Sequence, residues 1–180
     1  ARIPIRGIIT GDGSSYLGQG TVASDTIITF VQEADENPNV KVILLEINSP
    51  GGSAVASDEI ASAIKQIEKP VVALIREVGA SGGYWIASSA DYVIANRMSI
   101  TGSIGVLSSF LEFSGLMEKY GIQYEQLTAG EYKDMGTPFR PLNQQERTIL
   151  QDKIDRIHQY FMEEVAANRK LALADVEKMA

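Results

Sequence analysis

The sequence predicts an α/β fold built on a parallel sheet. Three runs rich in β-branched residues, Ile3–Thr10, Val40–Asn48 and Pro70–Val78, read as buried strands. Two amphipathic stretches of helical period lie between them, and strands joined by crossover helices are the pattern of parallel pairing. A third observation is a long apolar stripe of helical spacing near the end of the chain.

Each element has a local reason. Thr21–Glu36 aligns Val22, Ile27 or Ile28, and Val31, then meets Asn37-Pro38, where a helix stops. Ser53–Glu68 carries Val55, Ile60, Ile64 and Ile67 near a 3.6 period and closes at Lys69-Pro70. A helix over Ser81–Ser89 follows the third strand. Further on, short strands are expected at Tyr92–Ala95, Ile104–Ser108 and Tyr124–Thr128, with a helix at about Phe110–Tyr120 ended by Gly121. The closing helix, Asn143–Lys170, lines up Leu150, Ile154, Ile157, Phe161 and Val165. Leu173–Ala180 reads as a helix cut partway, so 1–180 is expected to be one domain excised from a longer protein, with any membrane anchor outside it. There is no internal repeat.

The chain has 180 residues, 44% of them hydrophobic and 22% charged, the balance of a globular protein with a core. A formal charge of -7, spread rather than clustered, argues against nucleic acid as a partner. With no cysteine, thiol catalysis, disulfides and thiolate metal sites are excluded. The chain holds no run of 18 apolar residues of the kind that spans a bilayer, and Ala1–Ile5 is strand-like rather than a signal peptide.

Three glycine-bearing turns carry the candidate chemistry: NSPGGS (48–53), GASGGYW (79–85) and TGSIG (101–105). In the first, Gly51 and Gly52 can present N–H groups to a negative oxygen at the start of a helix; the plain alternative is a tight turn with Ser53 as N-cap. GASGG matches G-x-S-x-G between a strand and a helix, which makes Ser81 a candidate nucleophile. GDGSSYLGQGT (11–21) matches neither phosphate-loop pattern and reads as a loop. The one histidine, His158, lies inside the long helix at the edge of its stripe, a place where packing is the commoner role. The other available base is a lysine amine. A free lysine is neutral in roughly one molecule in 2,500 at pH 7, so a basic lysine needs an environment that disfavours its charge. Seven of the eight lysines lie on helices, at helix ends or at a strand start. Lys133 instead sits in the irregular TAGEYKDMGTPFRP, where a side chain can be aimed into a site or be simply solvated beside Asp134.

NSPGGS, GASGGYW, ADYVIAN, TGSIGV and AGEYKDMGTPFR, in this order, closely resemble the signal peptide peptidase A family of serine peptidases, peptidase family S49. The resemblance covers about residues 2–170 and implies a Clp protease/crotonase-like fold with parallel strands, crossover helices and a long C-terminal helix. It implies Ser81 as nucleophile, Lys133 as general base and Ser103 as the residue orienting that lysine. It also implies an oxyanion hole from the backbone N–H groups of Gly51, Gly52 and Gly82. Tyr84 and Trp85 are candidates to line a substrate pocket, or to pack the core.

The resemblance further implies no cofactor and no metal, and peptide substrates such as remnant signal peptides and unfolded apolar segments. The expected assembly is a homo-oligomer, an octameric ring with sites at subunit contacts. A membrane-associated full-length protein with an extracytoplasmic catalytic domain is expected, this fragment being soluble. Other classes of function fit parts of the pattern: a crotonase-like acyl-CoA enzyme, or a catalytically quiet membrane-associated scaffold. Within peptidases, capsid-processing relatives share part of it.

Overall fold

The computed structural model describes residues 1–14 and 20–180, which form two compact units, one of residues 1–105 with 158–180 and one of residues 106–157. The loop expected at 11–21 falls partly outside the described residues.

In the first unit, β1 (Arg2–Arg6), β4 (Ile43–Ser49), β5 (Val71–Ala80) and β6 (Tyr92–Ala95) pair in that order, all in parallel. A further strand, β7 (Ile100–Gly102), pairs with the end of β5 beyond β6. The register sets Ile3, Leu45 and Ala73 in one row and Ile5, Ile47 and Ile75 in the next, all at most 4% exposed. Onto this face pack α1 (Ser24–Glu36), α2 (Ala54–Ile64) and α3 (Gly82–Ser88), through Ile27, Val31, Ile60, Ile64 and Ile86. Each such aliphatic side chain contributes about 1.5–3 kcal/mol on leaving water. The opposite face is not apolar throughout: Arg2 and Arg6 of β1 both pair with Glu46 of β4, and Leu44, Val72 and Leu74 are half-buried.

The strand expected over Ile3–Thr10 is two strands. Gly7 turns the chain at φ 84°, and β2 (Ile8–Thr10) leaves the main sheet to pair in parallel with β3 (Thr21–Ala23). Thr21–Ala23 was expected as the first turn of α1, but its backbone is drawn into that ladder. Of the two candidates in α1, Ile27 and not Ile28 is the one in the core, beside Val31. On α2 the expected stripe is corrected at its start: Val55 is 67% exposed, and Ala56, Ile60 and Ile64 make the contact. Ser53 caps that helix, accepting from the Ala56 N–H.

The long helix α5 spans Gln144–Arg169. Its Phe161 and Val165, with Trp85, Ala61, Ile104 and Val176, make a second apolar cluster in the first unit. Val176 belongs to α6, the short helix Leu173–Glu177. In the second unit, α4 covers Ser114–Lys119 and Gly121 ends the turn after it at φ 68°. The strands expected at Ile104–Ser108 and Tyr124–Thr128 are absent, because among the described residues neither segment has a ladder partner. No helix is long and apolar enough to cross a membrane among the described residues.

The break at Gly7 is testable. A Cβ there would meet the Gly20 carbonyl, in a backbone region that side chains rarely adopt. Gly7→Ala should lower stability by about 2 kcal/mol in urea unfolding, more than an ordinary surface change.

Candidate active site

Ser81 stands at the hinge between β5 and α3. Its backbone, φ 52° and ψ −125°, is in a region that costs a non-glycine residue about 1–3 kcal/mol. Three contacts hold it there. Its N–H donates to the Gly102 carbonyl at 2.8 Å, and its own carbonyl accepts from the Tyr84 and Trp85 N–H groups at 2.8 and 2.9 Å. The strand-to-helix reversal leaves the side chain half-buried at the end of the sheet.

Beside it runs the turn after β4. Gly51 has φ 99°, and a Cβ on it would lie 2.7 Å from the Gly82 nitrogen and 2.9 Å from the Ser81 Cβ. The two glycine-rich turns therefore touch backbone to backbone. Gly51 N–H donates to Ser49 Oγ at 3.1 Å, and Ser49 Oγ in turn donates to the Gly7 carbonyl at 2.6 Å. Of the three amides expected to face an oxyanion, that of Gly51 is thus already engaged. Those of Gly52 and Gly82 carry no hydrogen bond among the described residues. Gly52 packs against Ile9, where a Cβ would lie 2.1 Å from the Ile9 carbonyl oxygen, while the bridge itself is made by Gly51 O and Ser53 N and leaves the Gly52 N–H unused.

Ser49, inside NSPGGS, is a contributor beyond the residues expected from the sequence. Its signal is a serine closing an apolar strand, where an unbonded hydroxyl would be costly. Ser57 is a second: fully buried on α2, it occupies the place a Gly82 side chain would need.

The TGSIG turn adjoins Ser81 through Gly102, and Ser103 follows in a left-handed conformation, φ 52°, with its side chain exposed. His158 Nε2 donates to the Ile104 carbonyl at 3.0 Å, in the tautomer that carries the proton there. The histidine thus holds the turn that adjoins Ser81. Trp85 is 4% exposed and stacks on Phe161 with centroids 4.5 Å apart, so its ring is core packing rather than a pocket wall. Tyr84 is half-buried against both apolar clusters.

Lys133 belongs to the second unit. It lies on a turn between Gly130 and Gly136, both at positive φ, with its side chain exposed. Its ammonium has no hydrogen-bond or ion-pair partner among the described residues. The next residue, Asp134, receives Nε and Nη2 of Arg140, both at 2.8 Å. Arg140 also reaches Glu146, which is fully buried at the start of α5. Hydrogen bonds from Arg140 hold both carboxyls below the usual carboxylate range and raise the guanidinium above its own.

A chain laid out in this way has the architecture of the Clp proteases. A ClpP1 mutant from Listeria monocytogenes superposes with a TM-score of 0.57 at 16% identity, over 98% of this chain and 77% of that one. The family model for peptidase family S49 matches residues 63–180, and the chain belongs to that family. Protease 4 of Haemophilus influenzae is 36% identical over 172 residues, 94% of this chain and 28% of the relative. The chloroplastic serine protease SPPA of Arabidopsis thaliana is 30% identical over 179 residues, 98% of this chain and 26% of the relative. The chain spans between about a quarter and about half the length of the first curated relatives it matches.

Two substitutions probe this geometry. Gly51→Ala should fold, by circular dichroism, yet lose about 100-fold in peptide hydrolysis, because the new methyl pushes on the Ser81–Gly82 turn. His158→Ala should cost about 1 kcal/mol in urea unfolding and leave the pH profile of hydrolysis in place; a profile that loses its ascending limb would make His158 the base.

Proposed function

We propose that this chain is the catalytic domain of a serine endopeptidase that uses Ser81 as nucleophile and Lys133 as general base. The observation that carries the reading is the strained Ser81 turn with free amides at Gly82 and Gly52 beside it. Strain of this kind persists only where surrounding structure imposes it, and it is a feature of nucleophile turns. Membership of family S49 and the protease names of the relatives support the same class.

The uncharged Lys133 Nζ takes the Ser81 Oγ proton as that oxygen attacks a peptide carbonyl. The carbonyl oxygen, now an anion, accepts from the Gly82 and Gly52 N–H groups, with Gly51 shaping their approach; such preorganised donors are usually the largest catalytic contribution. Lys133 returns the proton to the departing amine as the C–N bond breaks. A water then gives its proton to Lys133 and attacks the ester, and Ser81 leaves with the proton restored. Ser103 orients the amine through its hydroxyl, which accepts or donates without adding charge.

The substrates on this reading are apolar peptides, among them remnant signal peptides, and the working form is a membrane-associated homo-oligomeric ring, an octamer. Apolar exposure in the second unit supports self-association. Glu146 is its one buried residue among those described, while Leu107 is 85% exposed and Leu127 94%. A segment with no apolar core of its own gains one by covering these side chains with another copy.

Ser81→Ala and Lys133→Ala should each lower hydrolysis of a fluorogenic apolar peptide by roughly 10⁴-fold or more, with unchanged unfolding curves. Near-normal turnover in Lys133→Ala would rule out the lysine as base. Binding of acyl-CoA with no peptide hydrolysis in the unmodified protein would move the chain to the acyl-CoA class.

A further inference from the structure

We propose that Arg140 is the positioning residue of the catalytic base: by clamping Asp134 to Glu146 it fixes the turn that carries Lys133 and withdraws from that lysine its nearest carboxylate in sequence. The inference rests on the reading of Lys133 as base and adds a part that this reading leaves unexplained. Residues 129–139 have no regular structure beyond turns, yet a general base must be held closely, since a misplacement of about 1 Å costs on the order of 100-fold.

The clamp is two forks on one guanidinium. Nε and Nη2 take the two oxygens of Asp134, both at 2.8 Å. Nη1 and Nη2 take the two oxygens of Glu146, at 2.9 and 2.5 Å, and Nη1 also reaches the Pro141 carbonyl at 3.1 Å. Glu146 is itself held on both sides. It is 0% exposed, its Oε2 accepts from the Asn143 N–H at 2.9 Å, and its own N–H donates to Asn143 Oδ1 at 2.8 Å. That reciprocal pair is a capping box at the start of α5. Constraint therefore passes from a 26-residue helix through Glu146 and Arg140 to Asp134, one residue from Lys133.

Charge gives the clamp a second task. A carboxylate free to approach a lysine amine keeps it protonated, raising its pKa by about 1–3 units, and a protonated amine cannot take a proton from serine. Both oxygens of Asp134 are spent on Arg140. The other titratable groups on this turn are Glu131 and Tyr132; the phenol is pushed up by partial burial and by Glu131, so it stays neutral through the working range. Lysine in place of Arg140 would keep the charge and lose the paired forks.

The test is kcat/KM against pH for the full chain in its assembled form, with a fluorogenic apolar peptide, alongside Lys133→Ala. Arg140→Met should fall at least tenfold at pH 7, and the ascending limb of its profile should move up by about one unit. Adding Asp134→Asn to Arg140→Met should return that limb to its original pH while kcat stays low, an outcome that loosened packing would not produce. An unmoved limb in Arg140→Met overturns the proposal. If Arg140→Met fails to fold, Asp134→Ala carries the test: kcat should drop at least tenfold with KM unchanged, and an unchanged kcat overturns the clamp. A dead Lys133→Ala with an unmoved limb in Arg140→Met removes this inference alone. An active Lys133→Ala removes the base, and the clamp with it.

Discussion

The turn at Ser81 exists because backbone, not side chain, meets backbone there. A serine at φ 52° and ψ −125° would relax if the chain around it were free. It is kept from doing so by the Gly102 carbonyl on its amide and by the first turn of α3 on its carbonyl. The approach of Gly51 closes the remaining side at a distance no side chain would allow. The features on which the reading of this site rests follow from that arrangement: the half-buried serine, the amides of Gly52 and Gly82 without partners among the described residues, and the short helix that starts directly after it.

The main sheet makes the arrangement affordable. Rows of Ile, Leu and Val bury one face against three helices, and the strain at one residue is small beside what those rows contribute. The ends of β4, β5 and β7 then lie together, so NSPGGS, GASGG and TGSIG converge although 25 and 17 residues separate them in turn along the chain. Buried serines fill the remaining space. Ser49 links the Gly51 turn back to Gly7, and Ser57 sits where Gly82 has no side chain. The second unit is organised differently, by a charged clamp and not by an apolar core. Its irregular segment is ordered through Arg140, whose planar guanidinium meets each of two carboxylates with a paired fork, a geometry that an ammonium does not offer.

The alternation of strands and helices was legible because burial on one face imposes periods of 2.0 and 3.6 on the residue types. So were α5, to within a residue at each end, and β6, whose bounds match the expectation. The failures share a cause. Ile3–Thr10 looks continuous because isoleucine serves two sheets equally well, and only the partner strands reveal the break at Gly7. Val55 has the right spacing for the helix stripe but points to solvent, since the neighbouring Ala56 fits closer to the sheet. The segments 104–108 and 124–128 carry strand-like residues but, among the described residues, have no partner to pair with.

For the site, residue types and turns made Ser81, the glycine pair and Lys133 candidates beside plainer alternatives, and it was the resemblance to family S49 that gave them roles. Which amides are free and what holds the lysine's turn could not be read there. That Gly51 donates to Ser49, that His158 holds Ile104, and that Arg140 joins Asp134 to Glu146 all depend on directions of hydrogen bonds between groups brought together by folding. Composition and spacing settle what a segment prefers by itself; a hydrogen bond needs both partners placed to within a fraction of an ångström, and only the folded chain places them.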